Sequence, residues 1–179
     1  MPTYIALLRA VNVGGTGKIA MTDLVALCKK ASFANPRTYI ASGNVVFESK
    51  LPEPKVKATL EKSLATFTGK PATVLVRTAA EMAAVLAANP FPDKAPNRTV
   101  AIFLDAPPPP DTLQHITGQA DEEIRLGTRE IYVHYGAGMA KTKLKIPAAK
   151  NGTARNINTL TKLAQLAGPP ACTPPNLAV

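Results

Sequence analysis

The chain predicts an α+β fold of two related units, and three observations carry that reading. Apolar or β-branched runs alternate with amphipathic helical stretches in the order β-α-β-β-α-β through residue 78. From residue 98 the pattern β-α-β-β recurs and a closing helix follows. Prolines mark connections more than elements: the 17 in 179 residues are about twice the usual rate of roughly 5%, and they cluster at Pro107 to Pro110 and Pro169 to Pro175.

Tyr4 to Val11 is a near-continuous apolar run before a Gly-rich loop, the pattern of a strand covered on both faces. Thr22 is the expected N-cap of a first helix, with Asp23 behind it and Leu24, Leu27, Cys28 and Ala31 on one stripe. Asn35-Pro36 is expected to stop that helix, because a residue before proline avoids the α region. Arg37 to Ala41 and Val45 to Ser49 read as strands joined by Ser42-Gly43-Asn44, residue types that tolerate the positive φ of a tight hairpin. Glu53-Pro54 opens a helix whose inner side is read as Val56, Leu60, Leu64 and Phe67, with Gly69 as its stop. Thr73 to Val76 is the fourth strand. This order is the split βαβ of a ferredoxin-like unit, assigned to residues 1–78.

Residues 79–97 are read as a connecting helix and linker, the helix introduced by the capping-box spacing Thr78-Ala-Ala-Glu81. Residues 98–169 form the second α+β subdomain: a strand from Thr99 to Leu104, a short helix capped by Asp111 and Gln114 with Leu113 and Ile116 inside, and a hairpin of Glu123 to Leu126 and Glu130 to Tyr135 around Gly127-Thr128. The repeated order makes structural duplication a hypothesis. Lys141, Lys143 and Lys145 alternate with Thr142, Leu144 and Ile146 as in a strand, whereas Pro147-Ala-Ala suggests a helical turn, and both readings stand. Asn156 to Ala167 is the closing helix, and residues 170–179 are expected to be a loosely ordered tail.

Charge narrows the partners. The net charge is +9, and after Glu130 there is no Asp or Glu while Lys141, Lys143, Lys145, Lys150, Arg155 and Lys162 follow. That balance fits anionic partners or a merely solvated surface. The two cysteines, Cys28 and Cys172, have no metal spacing and form no disulfide framework. No basic segment leads into an apolar core at the start, and no run nears the ~18 apolar residues of a membrane span. The expectation is a basic protein of the cytoplasm with no membrane partner.

The loop Gly14-Gly-Thr-Gly-Lys18 invites a phosphate-binding reading, but Asn12 stands where a nucleotide loop has its first glycine and Ile19 where it has Ser or Thr for magnesium. An ordinary connection and an anion loop both remain open. Arg9 ends an apolar strand and needs water or a partner, with a salt bridge to Asp23 or Glu48 as one option. Arg155, Thr159 and Lys162 fall at i, i+4 and i+7, which would place them on one helical face, either anion-binding or solvated. His134 reads as a surface side chain and Cys28 as core. No Ser-His-acid trio or paired carboxylates can be assembled, so no catalytic or metal residue is proposed and no cofactor is specified. The aromatics Tyr4, Tyr39 and Phe47 raise base stacking, but Asn44-Val-Val-Phe47 lacks the basic-aromatic pattern of RNA-binding modules.

Three blocks carry a family resemblance: Tyr4-Ile-Ala-Leu-Leu-Arg-Ala-Val-Asn-Val-Gly-Gly15 with Lys18-Ile19, Arg37-Thr-Tyr-Ile-Ala-Ser-Gly-Asn-Val-Val-Phe47, and Thr153-Ala-Arg-Asn-Ile-Asn-Thr159 with Thr161-Lys-Leu163. The chain resembles the bacterial domain of unknown function 1697 family, departing from it at Ala10, where Gly is usual, and at Ile157, where Trp is common. The resemblance implies a compact α+β protein of two related subdomains and no known activity.

The sequence therefore points to a small anionic ligand, a nucleotide or phosphorylated metabolite. Arg9, Lys18, Arg155 and Lys162 would supply charge, and Asn12, Ser42, Asn44, Asn156 and Thr159 hydrogen bonds. Gly14, Gly15 and Gly43 would let backbone approach. The alternative is a regulatory or nucleic-acid-binding module using the basic final third.

Overall fold

Strand β1 (Thr3–Leu8) is buried from Tyr4 to Leu8, and its alternate side chains enter two different cores. The protein, described here from a computed structural model over residues 1–9, 19–40 and 43–168, is α+β with two four-stranded antiparallel sheets. The first sheet uses β1, β2 (Ala34–Thr38), β3 (Asn44–Glu48) and β4 (Val74–Thr78) in the order β2-β3-β1-β4. The second uses β5 (Thr99–Phe103), β6 (Glu123–Leu126), β7 (Glu130–His134) and β8 (Thr153–Asn156) in the order β6-β7-β5-β8. The two orders correspond position for position.

Helices α1 (Met21–Lys30) and α2 (Glu53–Thr68) cover one face of the first sheet. Leu24, Cys28, Val56, Leu60 and Leu64 meet Tyr4, Ala6, Leu8 and Phe47 there, and Phe33 stacks on Phe47 with centroids 4.5 Å apart. The other face meets the second sheet through α3 (Ala79–Ala87) and α4 (Ile157–Ala167). Met82, Val85, Leu160 and Leu163 pack with Ile5, Leu7, Val46 and Leu75 from the first sheet and Ala101, Phe103 and Tyr132 from the second. The outer face of the second sheet is covered by Leu144, Ile146, Ala148 and Ala149, not by long helices.

The Thr78 box forms as its spacing predicts: Thr78 Oγ1 accepts from Glu81 N at 3.1 Å, and Glu81 Oε2 accepts from Thr78 N at 2.8 Å. Other local expectations are corrected. Helix α1 starts a residue before Thr22, with Ala20 as an N-cap that makes no side-chain bond. It ends at Lys30, where Ser32 turns left-handed and Phe33 N donates to Cys28 O. Asn35-Pro36 therefore lies in β2, an edge strand whose register shifts between Ala34 and Arg37, a place where proline's missing donor costs no ladder bond. Phe67 is 49% exposed, since the last turn of α2 lies beyond the core. Thr112–His115 is one 3₁₀ turn that buries Thr112 and exposes Leu113, and Asp111 bonds His115 instead of capping it. Of the lysine stretch, Lys145 pairs with Thr117 in an isolated bridge, and Pro147–Ala149 is a 3₁₀ turn. No helix among the described residues is long and apolar enough to cross a membrane.

The layer between the sheets carries the tightest test of this packing. Leu163→Ala, at a fully buried site, should cost about 2–5 kcal/mol in urea unfolding. Phe67→Ala should stay within about 0.5 kcal/mol of the parent.

Candidate functional site

Arg155 belongs to β8, paired with Ala101 of β5, and its side chain reaches the first sheet. Nε donates to Asn44 Oδ1 at 2.6 Å and Nη2 to Leu8 O at 3.0 Å, with Gly43 O at 3.5 Å; Nη1 donates to Ala154 O and Thr153 Oγ1 at 2.9 and 2.8 Å. Burial lowers the guanidinium to about 10, so it stays charged at neutral pH. Asn44 is itself fully buried and donates Nδ2 to Tyr39 O at 2.9 Å, and Gly43 adopts φ +81° to turn the hairpin into β3.

Arg9, one residue beyond β1, donates Nη2 to Lys150 O at 2.7 Å and Nε to Gly152 O at 3.3 Å. It thus holds backbone carbonyls before β8, not Asp23 or Glu48 as the sequence suggests. Gly152 is required there, because a Cβ would lie 2.7 Å from Phe103 O. Gly43, Asn44 and Arg155 therefore meet at one junction with Leu8 O, and Arg9, the residue after Leu8, bonds the carbonyls just before β8. Asn156 caps α4, accepting from Thr159 N at 2.9 Å. The proposed helical stripe of Arg155, Thr159 and Lys162 does not exist, because the helix starts only at Ile157; Lys162 is exposed on α4. Asn12, Gly14, Gly15, Lys18 and Ser42 lie outside the described residues.

A second arginine repeats this arrangement in the opposite direction. Arg77 of β4, 1% exposed, reaches the second sheet: Nε donates to Glu130 Oε1 at 3.1 Å, Nη2 to Leu104 O and Arg129 O at 2.7 and 3.1 Å, and Nη1 to Val76 O at 2.9 Å. By strand and register, Arg77 corresponds to Arg155, Leu104 to Leu8, Arg129 to Gly43 and Glu130 to Asn44. Backbone bonds match as well, Leu8 N to Gly43 O at 2.8 Å and Leu104 N to Arg129 O at 2.9 Å. The sequence reading missed Arg77 and Glu130. The available signal was a lone arginine closing the apolar run Val74-Leu-Val76.

The two clamps differ in charge. Around Arg77, Glu130 is an ion-pair partner, and Arg129 pairs with Glu53 at 3.0 Å and Glu81 at 2.8 Å, which, led by the Glu53 hydrogen bond, pushes the Arg129 guanidinium up. A cavity of about 210 Å³ opens beside it, lined by Arg77, Glu81, Val85, Arg129, Glu130 and Tyr132. Around Arg155 the position of Glu130 is taken by neutral Asn44 and that of Arg129 by Gly43.

Over residues 1–132 the chain matches the family described as a protein of unknown function, DUF1697. It belongs to that family. The match includes Arg9, the Gly43-Asn44 turn, Arg77 and Glu130, and stops before the closing block at Thr153 to Thr159. No curated protein matches this DUF1697 chain. Among solved structures it is similar to conserved bacterial protein SP0830 from Streptococcus pneumoniae, with 24% identity and a TM-score of 0.78 over 93% of this chain and 98% of that one. At that identity the likeness speaks for the fold.

Other candidates resolve differently. His134 is buried, with Nδ1 3.0 Å from Thr99 Oγ1, so it is no surface side chain. Burial pushes the Cys28 thiol up to about 12, leaving it protonated and inert at neutral pH. Tyr4 and Phe47 lie beneath α1 and α2, which closes that face to base stacking. Among the described residues no cluster of three or more His, Cys, Asp or Glu could hold a metal.

Arg77→Met should cost about 3–5 kcal/mol in urea unfolding, because it leaves Glu130 buried without its partner. The double variant Arg77→Met/Glu130→Leu should recover part of that loss.

Proposed function

We propose that this protein binds a small anionic ligand, a nucleotide or phosphorylated metabolite, where the end of β1, the Gly43-Asn44 turn and the start of β8 meet. The observation that supports this reading is that Arg155 bonds Asn44 and Leu8 O while Arg9, next to Leu8, bonds the carbonyls before β8, with Asn44 in the place that Glu130 holds at the other clamp. Arg155, donating to protein oxygens, fixes the carbonyls at Leu8 and Gly43 and supplies a field. Arg9, half-buried and held by two backbone carbonyls, can exchange them for the stronger charge-assisted bonds of a phosphate or carboxylate. Asn12, Gly14, Gly15, Lys18 and Ser42, together with Asn156, Thr159 and Lys162, belong to the same proposal as ligand-binding residues. No reaction is assigned.

The finer architecture belongs to the same proposal. The element order and the order β2-β3-β1-β4 support a ferredoxin-like unit over residues 1–78. The corresponding order β6-β7-β5-β8 and the repeated clamp support a duplicated second subdomain over 98–169, joined through 79–97. A cytoplasmic location fits the buried free thiol of Cys28.

The regulatory or nucleic-acid reading has its own observation, the exposed side chains of Lys141, Lys143 and Lys145. Such binding would weaken steeply with salt.

A thermal-shift screen against nucleotides and phosphorylated metabolites tests the first reading. A ligand at 100 times its dissociation constant should add about 2.7 kcal/mol of stability, a rise of several degrees. Arg9→Ala should abolish the rise while leaving the unliganded transition in place. A flat screen, or an undiminished response in Arg9→Ala, sinks it.

A further inference from the structure

Glu122 is a buried carboxylate held without a cation. Its side chain is 5% exposed, and among the described residues no lysine or arginine pairs with it. Ala120 N donates to Oε2 at 2.7 Å, and the Thr142 hydroxyl donates to Oε1. A buried charge persists only where such bonds satisfy it. These bonds clip the segment after Ile116 to the segment that carries Lys141, Lys143 and Lys145. Two further features close the same joint. Thr117 and Lys145 exchange both backbone bonds, at 2.8 and 3.1 Å. Gly118, at φ +69°, packs on that segment so closely that a Cβ would collide with Lys143 O.

The joint sets how the lysines are displayed. Lys141, Lys143 and Lys145 are exposed, while Leu144 and Ile146 turn into the core that covers the second sheet and Thr142 is held by Glu122. Alternate residues of an extended chain repeat at about 6.4–6.8 Å. That repeat is comparable to the separation of neighbouring phosphates along a nucleic-acid strand. Among the described residues none of the three lysines has an ion-pair partner, although Asp121 lines the same cavity of about 410 Å³ as Lys141 and Lys143. No aromatic residue occurs from Gly136 to Lys150, so bases have nothing there to stack on. Met139 is the one large apolar side chain exposed on this stretch, too little to anchor a membrane.

We infer that Lys141, Lys143 and Lys145 form a preordered rail for the phosphate backbone of a nucleic acid, and that Glu122 is the residue that positions it. A rail of this kind reads charge and spacing, so its binding is independent of base sequence. Glu122 acts through Thr142 and touches no phosphate. Such a rail presupposes the nucleic-acid reading of this protein and asks nothing of the Arg155 junction.

Fluorescence anisotropy of the full chain with a short labelled oligothymidylate, followed across a salt series from dilute buffer, tests the rail, with circular dichroism to check folding. Lys141→Gln/Lys143→Gln/Lys145→Gln should flatten the logarithmic salt slope by about 2, roughly 0.7 for each lysine. Lys30→Gln/Lys62→Gln/Lys70→Gln removes the same charge from exposed positions on and after α1 and α2, and should leave the slope unchanged. Glu122→Ala raises the net charge by one, yet should weaken binding about threefold or more because the rail is no longer preordered. Thr142→Ala, which removes the same bond and keeps the carboxylate, should act in the same direction. Equal losses in the two triple variants overturn the rail, since net charge alone then explains the binding. Folded Glu122→Ala and Thr142→Ala chains that bind as tightly as the parent overturn the positioning role of Glu122. Tighter binding to phosphatidylglycerol vesicles or to polyglutamate than to the oligonucleotide overturns the assigned partner. A parent that binds no oligonucleotide in dilute buffer sinks the nucleic-acid reading and the rail together. A parent that binds, with its slope kept in the Lys141, Lys143 and Lys145 variant, sinks the rail alone.

Discussion

Arg77 and Arg155 each leave an edge strand of one sheet and end among the backbone carbonyls of the other, and the joint between the sheets depends on this exchange. Removing a guanidinium from water costs several kcal/mol, which is recovered only when its donors are met with good geometry. Both are met, by carbonyls at the ends of β1 and β5 and by the first residues of β3 and β7. A slip of one residue in β4 or β8 would turn the arginine to the opposite face. The clamps therefore fix register more than they add stability, and with register they fix where the loops after β1 and β5 begin.

Apolar packing makes that joint necessary. Each sheet has two faces that need cover, and α1 and α2 supply one cover for the first sheet. Its second face holds Ile5, Leu7, Val46 and Leu75, which stay dry only because α3 and α4 lie between the sheets. Tyr132 shows how little slack remains: its ring packs in that layer, and its hydroxyl donates to Val85 O at 2.7 Å, satisfying the polar end inside the core. The candidate site sits at the rim of this layer. Its parts come from both sheets, so its geometry is held by the whole molecule and not by one loop.

What the sequence made legible was mostly local. The Thr78–Glu81 box, the Gly69 stop and the buried Leu24 and Cys28 depend on residues within a turn or two, and pattern reading found them. Proline at position 36 misled because its usual effect on a helix gave way to an edge strand that tolerates it. Arg155 was placed on a helix because its spacing to Thr159 and Lys162 happens to match a helical period, while the pairing with Ala101 that makes it a strand residue is distant in sequence. Arg77 passed unnoticed for the same reason, its carboxylate partner lying 53 positions away. The junction of Arg9 with the Gly43 turn and the Thr153–Asn156 block was legible only as a grouping of motifs. Its geometry needed the two sheets.

The place of α4 also bears on how the chain is made. The four strands of the first sheet are complete by residue 78, yet the helix that shares in covering their inner face ends at residue 167. At synthesis rates of about 5–20 residues per second, the nascent first half waits roughly 4–18 seconds for that cover. During that interval Ile5, Leu7, Val46 and Leu75 lack the part of their cover that α4 supplies, leaving apolar surface of the kind that holding chaperones recognise. Because a helix that late in the chain helps roof the first sheet, part of this core stays open until synthesis is nearly done.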